Sequence, residues 1–463
     1  MFSSLHDFMQ YLDHINSLRT VDVQVSTRLE MAAIIRRISG SLKTSPALVF
    51  TTPDDYPFPV VANLFGSRRR MQLALGLDSL HDLTDNLAAL LAAEPCFTNL
   101  NRLGSILAER ASRAPCTLKT SNVPCRELHE PGDNLLRFPF PHSWPDDGSA
   151  IGSGRYITMG QVITADPEGK DANCGIYRCQ IHDSHSLAIR WRRGSGAERH
   201  HRLFMQHNQR MPVAIALGGP PALTLAAAWP LPDGMNETAF AGWLRGAEIP
   251  VVDCPHGPLL VPAEADLIIE GYAEPDQPLI EGPFGNHTGR YDPAGPAARV
   301  TVTRITRRRE PVIPITVVGP PPQEDCWMML GWERVLAALL PRLVPGFKDI
   351  FMPLPWVFRQ SAIIALDNPS SRSVRDAAIA LWRLPWFAKA RLLVLVDGTV
   401  PLSNMLQIAW RVVNEPNWSD DLIRDETGRR LAIDVTRRTG GEGLMDSGTE
   451  QLIASRWKEY GLP

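Results

Sequence analysis

Cysteine is sparse and never paired in this chain: the seven residues Cys96, Cys116, Cys125, Cys174, Cys179, Cys254 and Cys326 lie far apart, with no CxxC and no Cys/His zinc spacing. An odd, scattered set excludes a disulfide framework and a zinc ribbon, so these residues read as reduced thiols. Long hydrophobic runs are also missing, and no stretch reaches the roughly 18 apolar residues that a membrane-crossing helix needs. The opening residues MFSSLHDFMQYLDHINS carry acids and histidines where a signal peptide needs an apolar segment. The expected location is the cytoplasm. Neither sign of charge dominates, with 47 basic against 50 acidic residues and a net charge of -3. That balance gives no reason to expect nucleic acid or an anionic membrane as partner, and leaves a small molecule as the expected one. No internal repeat is visible, and no GxGxxG stands between a strand and a helix to suggest a nicotinamide cofactor.

What the chain has is length and proline. Its 463 residues suffice for two or three domains, and 40 prolines suit an enzyme of strands and turns better than a helical bundle. The periodicity predicts an α/β domain over 1–112, with helices at Ser4–Ile15, Arg28–Ser39 and Asp78–Ala93 and strands at Ala47–Thr51 and Val60–Phe65. Over 113–309 a Pro- and Cys-punctuated connector gives way to short alternating runs (RYITMGQVIT, CGIYRCQIH, SLAIRW, PVAIALG, ADLIIEGYA, ARVTVTRIT). These predict a small antiparallel barrel or sandwich carrying one or two helices, the clearest at Asn236–Leu244. From 310 to 463 the pattern returns to α/β: a strand in VIPITVVG, a helix Cys326–Leu340 stopped by Pro341, a buried strand in ARLLVLVDG and a helix Pro401–Val413. A terminal helix over Glu450–Tyr460 is expected to dock on a neighbouring subunit.

Four segments carry a family resemblance: VANLFGSRRRMQLALG (Val61–Gly76), the stretch Gly154–Gln180 with its RYIT and CGIYR, PLPDGMNE (Pro230–Glu237) and EGPFGNHTGRY (Glu281–Tyr291). In this order and spacing they resemble the UbiD family of decarboxylases. The resemblance implies an N-terminal α/β domain, a central split β-barrel that binds prenylated FMN and a C-terminal α/β domain. It implies reversible, non-oxidative decarboxylation of a small aromatic, heteroaromatic or α,β-unsaturated acid, with a flavin prenyltransferase supplying the cofactor and a homodimer or homohexamer as the assembly. Losing CO₂ from an sp² carbon leaves an electron pair that no side chain can hold, so a cofactor fits the chemistry.

Site residues follow from the same resemblance. A divalent ion, usually manganese, with potassium beside it, would be held by Asn173, His200 and Glu237. Hard oxygen donors with one imidazole suit such a cation. Apart from the resemblance, Asn173 is an ordinary turn residue, Glu237 a helix-start carboxylate and RHHR a solvated face, and His201 competes with His200. Cofactor contacts would also come from Ile176, Tyr177, Arg178, Pro230 and, in RRLAIDVT, Arg430, which otherwise reads as half of an exposed charge pair.

Arg178 and Glu281 would form the acid/base network, the guanidinium gripping a carboxylate in a fork that Lys would not reproduce. Many relatives place a second acid where this chain has Asn286, followed by His287. An amide is no general acid near neutral pH, so Glu281 is expected to deliver the proton, directly or through water held by Asn286, with His287 as competitor. Gln323, Trp327 and Met328 would line the substrate pocket, although Trp327 and Met328 serve a helix core equally well. Two other readings stay open: a flavin- and metal-binding subunit impaired by the missing acid, and an unrelated split-barrel flavoprotein.

Overall fold

The alternating runs in the middle of the chain assemble into a single sheet of ten strands. The computed structural model describes residues 1–41, 45–54, 56–94, 100–120, 122–255, 257–436 and 447–461. Cys96 lies outside them. Eight strands form the main path: β1 (Tyr156–Ile157), β2 (Gln161–Ala165), β3 (Ala172–Ile176), β4 (Cys179–Ile181), β5 (Ser186–Ile189), β6 (Met211–Gly218), β7 (Ala265–Ala273) and β8 (Gly295–Arg307). Their order is β1-β4-β5-β8-β7-β6-β2-β3, with Leu128–His129 and Leu279–Glu281 also pairing on β8. Every pairing is antiparallel. The fold is mixed α/β, with this sheet curled into a half-barrel.

Burial explains which segments became strands. In β7 eight of the nine residues are buried, the charged Asp266 and Glu270 among them. Val162, Ile215, Leu267, Ile269, Val300 and Ile305 converge on one core, each contributing about 1.5–3 kcal/mol through burial. The pairing of β7 with β8 shifts register between Glu270 and Gly271, where a Cβ on Gly271 would run into the Thr301 carbonyl.

Three helices interrupt the strand order: α1 (Gly196–Gln206), α2 (Pro221–Ala228) and α3 (Glu237–Arg245). The sequence pattern predicts α3 but gives no sign of α2. PALTLAAA is buried over all but its last residue, and a helix that is apolar all round has no period to detect.

The chain divides into two compact units, 1–343 with 352–360, and 344–351 with 361–463. In the first, a four-stranded sheet runs Leu18–Val21, Ala47–Phe50, Val60–Ala62, Ile313–Ile315, flanked by helices that include Leu5–His14 and Glu30–Ser39. Residues 310–343, expected at the head of the C-terminal domain, belong to this first unit. Ile313–Ile315 pairs in parallel with Val60–Ala62, and helix α4 (Glu324–Leu339) follows in the same unit. The second unit is a five-stranded sheet in the order Phe347–Phe351, Ala362–Leu366, Leu392–Asp397, Leu431–Val435, Leu422–Arg424. Helices Ser371–Arg383, Met405–Asn414 and Ser447–Arg456 accompany it.

Candidate active site

Two glycines shape the loop that carries Glu281. Gly282 has φ 96°, a conformation that costs a side chain dearly, and donates its N–H to Gln180 Oε1 at 2.8 Å. Gly285 donates to Asp147 Oδ1 at 2.7 Å, and any Cβ there would fall inside the Trp144 ring. The chain then turns back, with Phe284–Gly285 pairing antiparallel with Tyr291–Asp292. That hairpin sets Asn286 and Asp292 side by side, and Asn286 Nδ2 donates to Asp292 Oδ1 at 2.7 Å.

Arg178 lies in the break between β3 and β4, where the chain leaves the ladder and frees its side chain. Its Nε and Nη2 donate to Glu281 Oε1 and Oε2 at 2.9 and 3.1 Å, a two-point fork. Nη1 donates to Asp292 Oδ2 at 2.8 Å, and the guanidinium lies over the Phe284 ring at 4.5 Å. Arg190 approaches Glu281 from β5, with Nη2 2.9 Å from Oε2, and the Tyr156 hydroxyl donates to Oε1 at 3.3 Å. The Glu281 side chain has 0% exposure, whereas that of Asp292 has 43%.

The local field follows from these contacts. Burial works against the charged Arg178, but Glu281 and Asp292 outweigh it and raise its pKa. Burial likewise opposes ionised Asp292, yet Arg178, Asn286 and Arg190 together hold it below the usual carboxylate range. Asp147 is pushed up to about 7, chiefly by burial and also by the nearby Glu281 charge, against its two backbone donors and Arg178.

A second cluster gathers around the middle of β3. Asn173 pairs across the ladder with Thr164, whose Oγ1 lies 2.9 Å from His200 Nδ1. Cys174 donates its N–H to Glu237 Oε2 at 3.0 Å, which ties the first residue of α3 to the same strand. Asn236 caps α3 by accepting from Ala239 N, and Ser195 caps α1 by accepting from Glu198 N, so both helix starts are fixed. On α1, Ala197, His200 and Phe204 share the buried face, and His200 Nε2 lies 3.2 Å from Asp171 Oδ2. His201 turns instead toward Trp191, at a ring separation of 5.9 Å. Gly196 leaves room for the Asn173 amide, since a Cβ there would overlap its oxygen.

A divalent cation fits this donor set. The Asn173 amide nitrogen is buried without a hydrogen-bond partner among the described residues, and an amide can turn its oxygen to the same place. Burial pushes Glu237 up to about 7, against the Cys174 N–H and the charge of Arg199.

The remaining sequence-predicted residues have definite places. Ile176 ends β3 opposite Gln161, and the Tyr177 ring folds back over Gly175, where a Cβ would lie 2.5 Å from it. Pro230 follows α2 in the loop that leads to α3. His287 stacks on Phe358 at 3.5 Å and faces Asp325 at 3.2 Å. Gln323 caps α4 and is buried, Met328 is buried with its carbonyl accepting from Trp229 Nε1, and Trp327 is half-buried between them. Arg430 lies in the second unit, bonded to Asp425 and to the Trp382 carbonyl and stacked on the Trp382 ring.

Sequence reasoning missed Tyr156, Arg190 and Asp292. Two of them left a trace: an Arg ending the apolar run SLAI, and an Asp-Pro closing the turn after EGPFG.

Comparison with known proteins gives concordant results. Models for the N-terminal, Rift-related and C-terminal domains of 3-octaprenyl-4-hydroxybenzoate carboxy-lyase match residues 9–90, 117–321 and 326–450. An uncharacterized protein of Archaeoglobus fulgidus is 32% identical over 484 residues, covering 99% of this chain and 98% of that one. Vanillic acid decarboxylase of Sedimentibacter hydroxybenzoicus in its closed form matches with TM-score 0.84 and 25% identity, covering 100% of both chains. An evolved dimeric form of HmfF from Pelotomaculum thermopropionicum, a UbiD-class enzyme in complex with prFMN, matches with TM-score 0.81 and 23% identity, covering 98% of this chain and 100% of that one.

Proposed function

Since the chain belongs to the UbiD family of carboxy-lyases, we propose that it decarboxylates a small aromatic, heteroaromatic or α,β-unsaturated carboxylic acid with prenylated FMN and a divalent metal. The observation that carries this reading is the fork from Arg178 to a fully enclosed Glu281 on the EGPFG loop. When bound, the prenylated flavin supplies the electron sink that the reaction needs. Asn173, His200 and Glu237 would hold the metal, manganese by resemblance to the family with potassium beside it. Ile176, Tyr177 and Pro230 would border the flavin.

The protein's own part is grip, alignment and proton supply. Glu281 fixes two nitrogens of Arg178, so the third, Nη1, is the one that an incoming carboxylate can take in exchange for Asp292. Phe284 backs the guanidinium with its π face and keeps it planar to the approaching acid. The flat half-buried Trp327 and the buried Gln323 and Met328 at the start of α4 suit the wall of a small ring.

The test is production with and without a flavin prenyltransferase, reading the bound-flavin spectrum and CO₂ release over a panel of furoic, pyrrole-carboxylic, hydroxybenzoic and acrylic-type acids. Activity that requires the prenyltransferase is expected. Full turnover with plain FMN would overturn the cofactor assignment, and no turnover of any acid would overturn the substrate class.

A further inference from the structure

We propose that Asp292 is the carboxylate that returns the proton to the substrate carbon, taking over the role vacated by Asn286. The inference deepens the decarboxylase reading and rests on it.

The geometry leaves few alternatives among the groups near Arg178. Glu281 is wholly enclosed, with Arg178, Arg190 and Tyr156 all bearing on its two oxygens, so it has no open side from which to reach a substrate. His287 is turned to Phe358 and Asp325. Asn286 spends its amide oxygen on the N–H and hydroxyl of Thr288, at 2.8 and 2.7 Å, and one amide hydrogen on Asp292. It acts as a bracket for a carboxylate rather than as a donor to substrate. Asp292 alone combines a direct bond to Arg178 with a half-open side chain, so it meets both the site and the solvent that must refill it. The acid absent after EGPFG is thus recovered six residues later, because the hairpin folds Asp292 back against the position of Asn286.

The proton balance closes. In the resting protein Asp292 is ionised on Arg178. A substrate carboxylate that takes Nη1 removes that stabilisation and brings a like charge, and both changes favour uptake of a proton from solvent by Asp292. The bond from the ring or vinyl carbon to the carboxylate then breaks, CO₂ leaves, and the electron pair remains with the carbon. Asp292 gives that carbon its proton, forming the C–H bond, and reverts to the carboxylate that reclaims Arg178.

The deciding variants are Asp292→Asn and the exchange Asn286→Asp/Asp292→Asn, made as holoprotein. Three readouts are needed: kcat, deuterium incorporation in D₂O, and the Kd of benzoate as a probe carboxylate. Asp292→Asn should lose at least about 100-fold in kcat, the usual worth of a general acid, and incorporate deuterium correspondingly slowly. It should also bind benzoate several-fold more tightly, since the competing charge on Nη1 is gone. A merely structural residue would not move the two in opposite directions. The exchange variant should recover at least about a tenth of native kcat. Asp292→Asn with native kcat, or with benzoate binding unchanged or weaker, overturns the inference, as does an exchange variant no better than Asp292→Asn. If the wild-type holoprotein releases CO₂ from no acid, the decarboxylase reading itself falls, and this inference with it.

Discussion

Arg190 meets Glu281 twice through one nitrogen: Nη2 lies 2.9 Å from the side-chain Oε2 and donates to the main-chain carbonyl at 2.9 Å. The residue thereby fixes both where Glu281 sits and how its carboxylate is turned toward Arg178. Glu281→Gln replaces an acceptor of three donors by a group with an NH₂ of its own, leaving two guanidiniums short of charge. We expect a loss of about 3 kcal/mol in unfolding free energy, read by urea titration, and loss of kcat because Arg178 is no longer held. An unchanged urea midpoint would show that the enclosed pair contributes nothing.

Glu237→Ala should lose the divalent metal and most of the prenylated flavin, because this carboxylate would supply one of the metal's ligands in the proposed site and the metal's charge would help hold the anionic cofactor. Metal analysis and the flavin spectrum decide it. Native stoichiometry of both in the variant would refute the ligand set.

Glu324, the first residue of α4, gives a pH signature in the stability. It accepts from Asn63 N at 3.1 Å and Phe65 N at 2.9 Å, and burial pushes it from 4.5 up to about 7 despite these donors and Arg70. The folded chain thus keeps a proton that the unfolded chain releases. Its contribution to stability is full below 4.5 and is lost as pH rises through about 7, with a slope of at most about 1.4 kcal/mol per unit. Glu324→Gln should flatten that slope. It should also cost about 1–3 kcal/mol overall, since its NH₂ would oppose one backbone N–H. Urea unfolding of both proteins across about pH 5 to 9 separates the two effects.

Gly331 lies in α4 where the Trp229 ring crosses it, and a Cβ would penetrate that ring. Trp229 is buried and held by its bond to the Met328 carbonyl at 2.9 Å. Gly331→Ala should therefore destabilise by about 1–3 kcal/mol through overpacking, read as a fall in Tm. A variant of native Tm would show that Trp229 yields.

Local signals made much of this legible in advance. The alternation of VITA, AIAL and LIIEGYA, set between Gly and Pro, marks strands that are found at β2, β6 and β7. The EGPFG loop stands out in the sequence through its family resemblance, and the structure gives the reason for two of its residues, Gly282 for its φ and Gly285 for the Trp144 ring. Long-range pairing was not legible. Ile313–Ile315 looks like the first strand of a new domain, and only its pairing with Val60–Ala62, some 250 residues upstream, draws it into the first unit. Asp292 escaped notice for a related reason. Its partner Arg178 is 114 residues away, and an Asp before Pro reads locally as a turn.

Gly175 links the two clusters. Asn173 precedes it by two residues and Arg178 follows it by three, and the Tyr177 ring occupies the space where its side chain would be. A methyl group at this point would act as a wedge, levering Tyr177 off the strand and twisting the chain just where Arg178 leaves it. One missing side chain therefore sets the slack between the strand that carries Asn173 and the break that carries Arg178, so that a shift at either one reaches the other.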